Sequence, residues 1–191
     1  MEVLDHLRET QGILEGHFEL SSGLHSDKYF QCAKLLQHPK YAEIAGRQIA
    51  AMFNKDEIDV VLGPALGGVI IGYEVARALE KLSIFTERKD GFMSLRRGFR
   101  INEGDRVLII EDVITTAKSV KENIVIVEGY NAHVAGVGCI IDRSQGKTGI
   151  NIKSLVQLDP VVFDPSDCPM CRQGQVIEKP GSQAKVTRYI T

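Results

Sequence analysis

Apolar residues fall at helical spacing at Val3, Leu4 and Leu7, with Ile13 and Leu14 following. This predicts a first amphipathic helix that stops near Gly12 to Gly16. From His17 to Gln31 polar and apolar residues alternate roughly about a central Ser-Gly, the pattern of a short hairpin or two extended pieces. Pro39 opens a second helix, its fixed φ suiting the first turn, with Ile44, Ala45, Ile49, Met52 and Phe53 as the apolar stripe. A repeating rhythm then sets in. Ile58 to Leu62 reads as a short buried strand, Gly63 to Gly68 as a turn, Val69 to Leu82 as a helix and Ile84 to Glu87 as a strand. Asp90 to Glu103, rich in Gly, Arg and polar residues, reads as a mobile excursion. Arg106 to Glu111 is an unbroken apolar strand, followed by a helix over Thr116 to Gly129 and strands over His133 to Ile141 and Ile152 to Leu158.

Strands separated by helices of this length require βαβ crossovers. Continuous apolar strands fit a sheet covered on both faces. The predicted class is therefore α/β, with a mostly parallel central sheet flanked by helices. The tail from Pro160, with Pro165, Pro169 and Pro180, reads as irregular chain rather than a second domain.

Composition narrows the function classes. At 191 residues the chain buries enough surface to need no disulfide or metal staple. Its formal net charge of -2 carries no basic bias toward nucleic acid. Glu2, Asp5, Arg8 and Glu9 break any apolar leader, and Val107 to Ile110 is too short to span a bilayer, so a cytoplasmic protein without membrane partners is expected. Of the four cysteines only Cys168 and Cys171 lie close in sequence. They could be half of a zinc site, but no second pair follows, so metal would need a dimer partner or a distant ligand. A plain structural turn is the favoured reading. His6, His17, His25, His38 and His133 show no ligand spacing, and no protein metal ligands are assigned.

Ligands of open α/β sheets bind beyond the carboxyl ends of the strands, and three such ends are chemically loaded. In the first, Glu111 and Asp112 end a buried strand; Val113, Ile114, Thr115, Thr116, Ala117, Lys118 and Ser119 lead into a helix N-terminus. Free amides there attract a phosphate, while the acids accept hydrogen bonds from sugar hydroxyls. In the second, Val61 to Gly68, small residues let backbone amides approach an anion. The third places Arg143 beside Asp142 after a strand, where a guanidinium can bind a carboxylate.

The segment Val107 to Ser119 resembles the phosphoribosyl diphosphate motif of type I phosphoribosyltransferases. The likeness extends over nearly the whole chain and is strongest to the orotate phosphoribosyltransferases. Thr86 to Gly91 resembles the stretch before that family's flexible loop, Leu95 to Phe99 one form of the loop, Leu20 to Phe30 the hood over the base, and Asp167 to Ser182 the tail of the same branch. The resemblance implies a single domain over residues 1–191, with a core of about 40–160 and a hood from about 1–38 and 161–191. It implies a transfer between phosphoribosyl diphosphate and orotate, with Mg2+, in a homodimer sharing its active sites. Glu111 to Ser119 would bind the ribose and its 5-phosphate, Arg88 the diphosphate, and Thr115 and Arg143 the orotate, leaving Arg88, Glu111 and Asp112 as the expected catalytic residues.

The chain departs from the family at four places. Ala117 and Lys118 stand where glycine is usual in the phosphate loop. Ser21 stands at a hood lysine. Phe92 and Ser94 stand where the flexible loop usually carries Lys and His, and Arg96 and Arg97 would supply the charge instead. Two other readings share the Val107 to Ser119 chemistry: a purine phosphoribosyltransferase, and a non-catalytic regulator that senses phosphoribosyl diphosphate.

Overall fold

A computed structural model describes residues 2–20, 22–158 and 161–180. Ser21, Pro160 and the tail residues from Gly181, all named above, lie outside the described residues. The elements in chain order are α1 (Glu2–Glu9), β1 (Ile13–Glu19), β2 (His25–Phe30), α2 (Ala33–Leu36), α3 (Pro39–Ala50), β3 (Val60–Pro64), α4 (Gly67–Leu79), β4 (Leu82–Lys89) and β5 (Phe92–Leu95). They continue with β6 (Arg106–Ile114), α5 (Lys118–Gly129), β7 (His133–Asp142), β8 (Ile152–Gln157), β9 (Val162–Phe163) and α6 (Pro169–Arg172).

The central sheet has six strands in the order β5-β4-β3-β6-β7-β8, parallel except for the β4–β5 hairpin. Its middle strands are buried on both faces. All five residues of β3 are buried, as are Val107 to Glu111 of β6. That is why they read as unbroken apolar runs rather than as alternation. One apolar cluster joins Leu7, Leu35, Ile49, Ile71 and Val75 to Leu108 and Ile110; a second joins Leu62 and Ile109 to Ile114, Val120 and Val127. Successive residues of β6 thus serve opposite faces. At the other end of the sheet Asp59 binds the guanidinium of Arg106 through both carboxylate oxygens, each at 2.8 Å, and fixes where β6 starts against β3.

A separate three-stranded sheet, β1-β2-β9, is built from both ends of the chain. The structure corrects two expectations. Ile13 and Leu14 do not extend the first helix, which stops at Glu9; Gln11 turns to φ 56° and the two residues begin β1. The stretch after Asp90 is not all excursion, because residues 92–95 fold back on β4 as an edge strand. Asp90 and Gly91 both take positive φ, the geometry of a tight two-residue hairpin.

Candidate active site

The carboxyl ends of β3, β6 and β7 point to one region, and close backbone approach holds the first two together. A Cβ placed on Gly67 would lie 2.2 Å from Oδ1 of Asp112, and one on Gly63 would lie 2.3 Å from the carbonyl oxygen of Gly68. No side chain fits at either position, so the glycines let the 63–68 turn fold against the acid pair. The Ala65–Leu66 peptide in this turn is cis.

Glu111 is buried and Asp112 half-buried. Oε1 of Glu111 accepts from the Asp112 amide at 3.2 Å, and Oδ1 of Asp112 accepts from the Val113 amide at 2.9 Å. Burial, reinforced by the charge of Asp112, pushes the Glu111 carboxyl up to about 9. Burial also raises Asp112. The pair therefore holds a proton at neutral pH when no hydroxyl donor or cation is near. Burial likewise raises the nearby thiols of Cys32 and Cys139, which excludes either as a thiolate nucleophile.

This proton has a consequence for stability. Unfolded Glu titrates near ~4.3, so between that value and about 9 the folded chain binds the extra proton. The stabilisation is complete below the window and is lost as pH rises through it. The unfolding free energy of the ligand-free protein is expected to fall from about pH 5 to about pH 9, by at most about 1.4 kcal/mol per pH unit, and its thermal midpoint to fall with it. Glu111→Gln should flatten that slope. Calorimetry across the range checks this, and a midpoint that rises with pH would contradict it.

After the acids, residues 113–120 curl around a cavity of about 70 Å³ at the N-terminus of α5, with Glu111 on its wall. Thr115, Thr116 and Lys118 are exposed there and Ser119 is half-buried. Ala117, at the position where glycine is usual, takes φ 56° and ψ 25° immediately before the helix. The loop thus reaches a left-handed conformation with an alanine, at about 1–2 kcal/mol. The methyl group is nevertheless buried in the second apolar cluster, which returns about 0.8 kcal/mol. Ala117→Gly is therefore expected to change stability by less than about 1 kcal/mol and to keep the phosphate loop intact. Ala117→Val, β-branched at positive φ, should destabilise measurably and weaken phosphate binding. Urea melts with and without ribose 5-phosphate distinguish these outcomes.

Arg143 follows β7. Its amide donates to the Ile114 carbonyl at 2.8 Å, which ties it to the end of β6. Its guanidinium stacks over Phe30, the last residue of β2, at 4.7 Å from the ring centroid. Burial pulls its proton affinity down. Its Nε is buried without a hydrogen-bond partner among the described residues. The neighbouring Asp142 accepts from the Ser144 amide at 2.8 Å. A half-buried cation with an unpartnered N–H is a ready receptor for a planar carboxylate.

Arg88 is placed differently. It lies near the end of β4, where Nη1 donates to the Gly91 carbonyl at 2.6 Å and to Glu122 of α5 at 3.2 Å. Arg96 and Arg97 are both engaged by Glu87, at 3.1 and 2.9 Å, and Arg97 first, then Arg96, lowers that carboxyl. The structure thus brings together Glu111, Asp112, the 113–119 loop and the 63–68 turn, with Arg143 anchored to the end of β6. It ties the other three arginines to carboxylates of their own. Sequence reasoning missed Glu122, Glu87 and Phe30, since contacts between separate elements leave no mark in linear spacing. No helix among the described residues is long and apolar enough to cross a membrane.

Comparison with known proteins bears on the family and the fold. The model of the phosphoribosyl transferase domain matches residues 31–164. The orotate phosphoribosyltransferase of Caldicellulosiruptor bescii is 53% identical over 180 residues, covering 93% of this chain and 95% of that protein. That of Thermotoga maritima is 50% identical over 183 residues, covering 95% and 98%. In fold, the chain is similar to the crystal structure of orotate phosphoribosyltransferase from Aeropyrum pernix, with a TM-score of 0.69 at 22% identity, covering 83% of this chain and 94% of that one.

Proposed function

Since the chain belongs to the phosphoribosyl transferase domain family, in its orotate phosphoribosyltransferase branch, we propose how its own residues carry the reaction. The reaction is a pentosyl transfer: phosphoribosyl diphosphate and orotate give orotidine 5'-monophosphate and diphosphate, in pyrimidine biosynthesis. The bond from the anomeric carbon to diphosphate breaks, and the pyrimidine nitrogen forms the new bond. Positive charge grows on the ribose and negative charge on the leaving oxygen. Orotate is already an anion, so positioning and electrostatics carry the rate, with no covalent nucleophile.

Glu111 and Asp112 accept from the ribose hydroxyls. The amides and hydroxyls of 113–119 hold the 5-phosphate, with Lys118 adding charge at its rim. The amides of 63–68, pressed against Asp112, receive the diphosphate. Arg88 meets the diphosphate once it leaves Glu122, and Arg96 and Arg97 join it from the 90–99 segment as that segment closes. Arg143, with Thr115 beside it in the site, binds orotate through its carboxylate. That reading rests on one observation above the others: the buried Nε of Arg143 without a partner among the described residues.

Mg2+ fits the same place, because the adjacent carboxyls of buried Glu111 and half-buried Asp112, both held above their usual range, gain from a nearby cation. Glu111 and Asp112 would hold the ion near the site, where it would neutralise leaving-group charge. We further read the protein as a cytoplasmic homodimer in which the 90–99 segment serves the neighbouring subunit's site. Its exposed Phe92 on an edge strand is consistent with that. The 40–160 core and the two-ended hood are read as one unit. A spectrophotometric assay with phosphoribosyl diphosphate and magnesium tests the function: orotate should be consumed, and adenine, hypoxanthine and uracil should not. A folded protein that binds phosphoribosyl diphosphate but turns over no base would be the sensing regulator instead.

A further inference from the structure

The hood contains a second cluster of chemistry that the transfer reaction does not use. His17 on β1, His25 on β2, Cys168 just before α6 and Cys171 within it bring four potential ligand atoms within 4.8 Å of one another. His17, His25 and Cys168 are buried, and Cys171 is exposed. Both cysteines are free thiols. Nε2 of His17 lies 3.0 Å from Nδ1 of His25, 3.6 Å from Sγ of Cys168 and 3.7 Å from Sγ of Cys171; Sγ of Cys171 lies 3.3 Å from Nδ1 of His25.

We propose that these four residues bind one Zn2+ ion in a closed tetrahedral site that clamps the N-terminal hairpin to the C-terminal segment. Four independent features support it. The first is metric. With Zn–N of about 2.0 Å and Zn–S of about 2.3 Å, the edges of a tetrahedron are about 3.3 Å between nitrogens and about 3.6 Å between nitrogen and sulfur. The four quoted separations straddle those values, and with all four atoms inside 4.8 Å a cation draws the widest pair in by about 1 Å. The second is valence. One nitrogen, Nε2 of His17, faces three polar atoms, and hydrogens could satisfy them only pairwise. A cation at the centre satisfies all four ligands at once, and two thiolates cancel its charge in a mostly buried place.

The third is the tautomer. Nδ1 of His17 lies 3.0 Å from the carbonyl oxygen of Gln175. A carbonyl only accepts, so Nδ1 carries the hydrogen and Nε2 presents its lone pair to the cluster, the outer hydrogen bond typical of a ligating histidine. The fourth is backbone. The β1–β2 register shifts between Glu15 and Phe18, and this bulge lets two successive residues, His17 and Phe18, both turn inward. Without it, strict alternation would send one of them to solvent.

The ion would be structural, since four protein ligands leave no open position. It would also reinforce joints already made by backbone bonds: His25 pairs with Phe163, and the Glu178 amide donates to the His17 carbonyl at 2.8 Å. On this proposal the distant ligands that Cys-Pro-Met-Cys lacks in sequence are two histidines of the same chain.

The test uses the full-length protein purified under reducing conditions from metal-replete medium. Elemental analysis should find about one zinc per chain in the wild type and in His38→Ala, an exposed histidine outside the cluster. Cys171→Ser and His25→Ala should each lower it at least about tenfold. If a variant fails to fold, Co2+ exchange of the wild type decides. A thiolate-to-cobalt charge-transfer band with the visible bands of a tetrahedral ion supports the site. A wild-type chain that carries no zinc and gives no such spectrum, its thiols reduced or joined as a disulfide, overturns it.

Discussion

Arg143→Ala is expected to lower kcat/KM for orotate by about two to three orders of magnitude while leaving the binding of phosphoribosyl diphosphate nearly unchanged. The size follows from the place. Truncating one member of a desolvated, hydrogen-bonded charge pair costs about 2–5 kcal/mol, or about 30-fold to several thousandfold. Arg143 is stacked on Phe30 and partly withdrawn from water, and no carboxylate of the protein is paired with it among the described residues. Its charge is therefore available to an incoming anion. Arg143→Lys should recover only part of the loss, because an ammonium can neither stack nor offer two parallel N–H groups. Steady-state kinetics with each substrate varied in turn checks this. An equal loss for both substrates would mean that the residue supports the fold instead.

The second large effect is expected at Glu111. Glu111→Gln keeps the shape and the hydrogen bond from the Asp112 amide but removes the charge next to the ribose. Contacts that strengthen as charge develops act on kcat, and removing one typically costs about 10²–10³-fold. The same substitution relieves a buried acid held up to about 9, so the ligand-free protein should be no less stable, and more stable at alkaline pH. A fall in kcat together with a rise in thermal midpoint separates a catalytic role from damage. Unchanged turnover would remove Glu111 from the mechanism.

How much of this was legible in the sequence depends on the range of the contact concerned. The βαβ rhythm and the acid pair with its following loop are local, because strand, acids, hydroxyls and helix start occur in one continuous stretch, 106–129. The turn before α4 was legible as small residues, though only the structure shows Gly67 pressed on Asp112. The hairpin at Asp90–Gly91 was missed although its turn pair is a strong local signal; the surrounding Gly and Arg content read as loop. The His–Cys cluster could not be found from spacing, since His17 and Cys168 lie 151 residues apart and meet only because both chain ends share one sheet. Glu122, the partner of Arg88, was hidden in the same way, whereas Glu87 lies only 9 and 10 residues from Arg96 and Arg97. Arginines that look free in a motif are bound by Glu122 and Glu87, so the closure proposed for the 90–99 segment would exchange one set of ion pairs for another.

The central claim is that this site transfers phosphoribose to a base recognised by its carboxylate through Arg143. The most direct test compares orotate with orotamide, its neutral amide, as ligands of the wild type and of Arg143→Ala in the presence of phosphoribosyl diphosphate and magnesium. The account predicts that the wild type turns over orotate and prefers it to orotamide by at least about 100-fold, and that the preference collapses toward unity in the variant. A preference that survives the loss of Arg143 would place carboxylate recognition elsewhere and contradict the account.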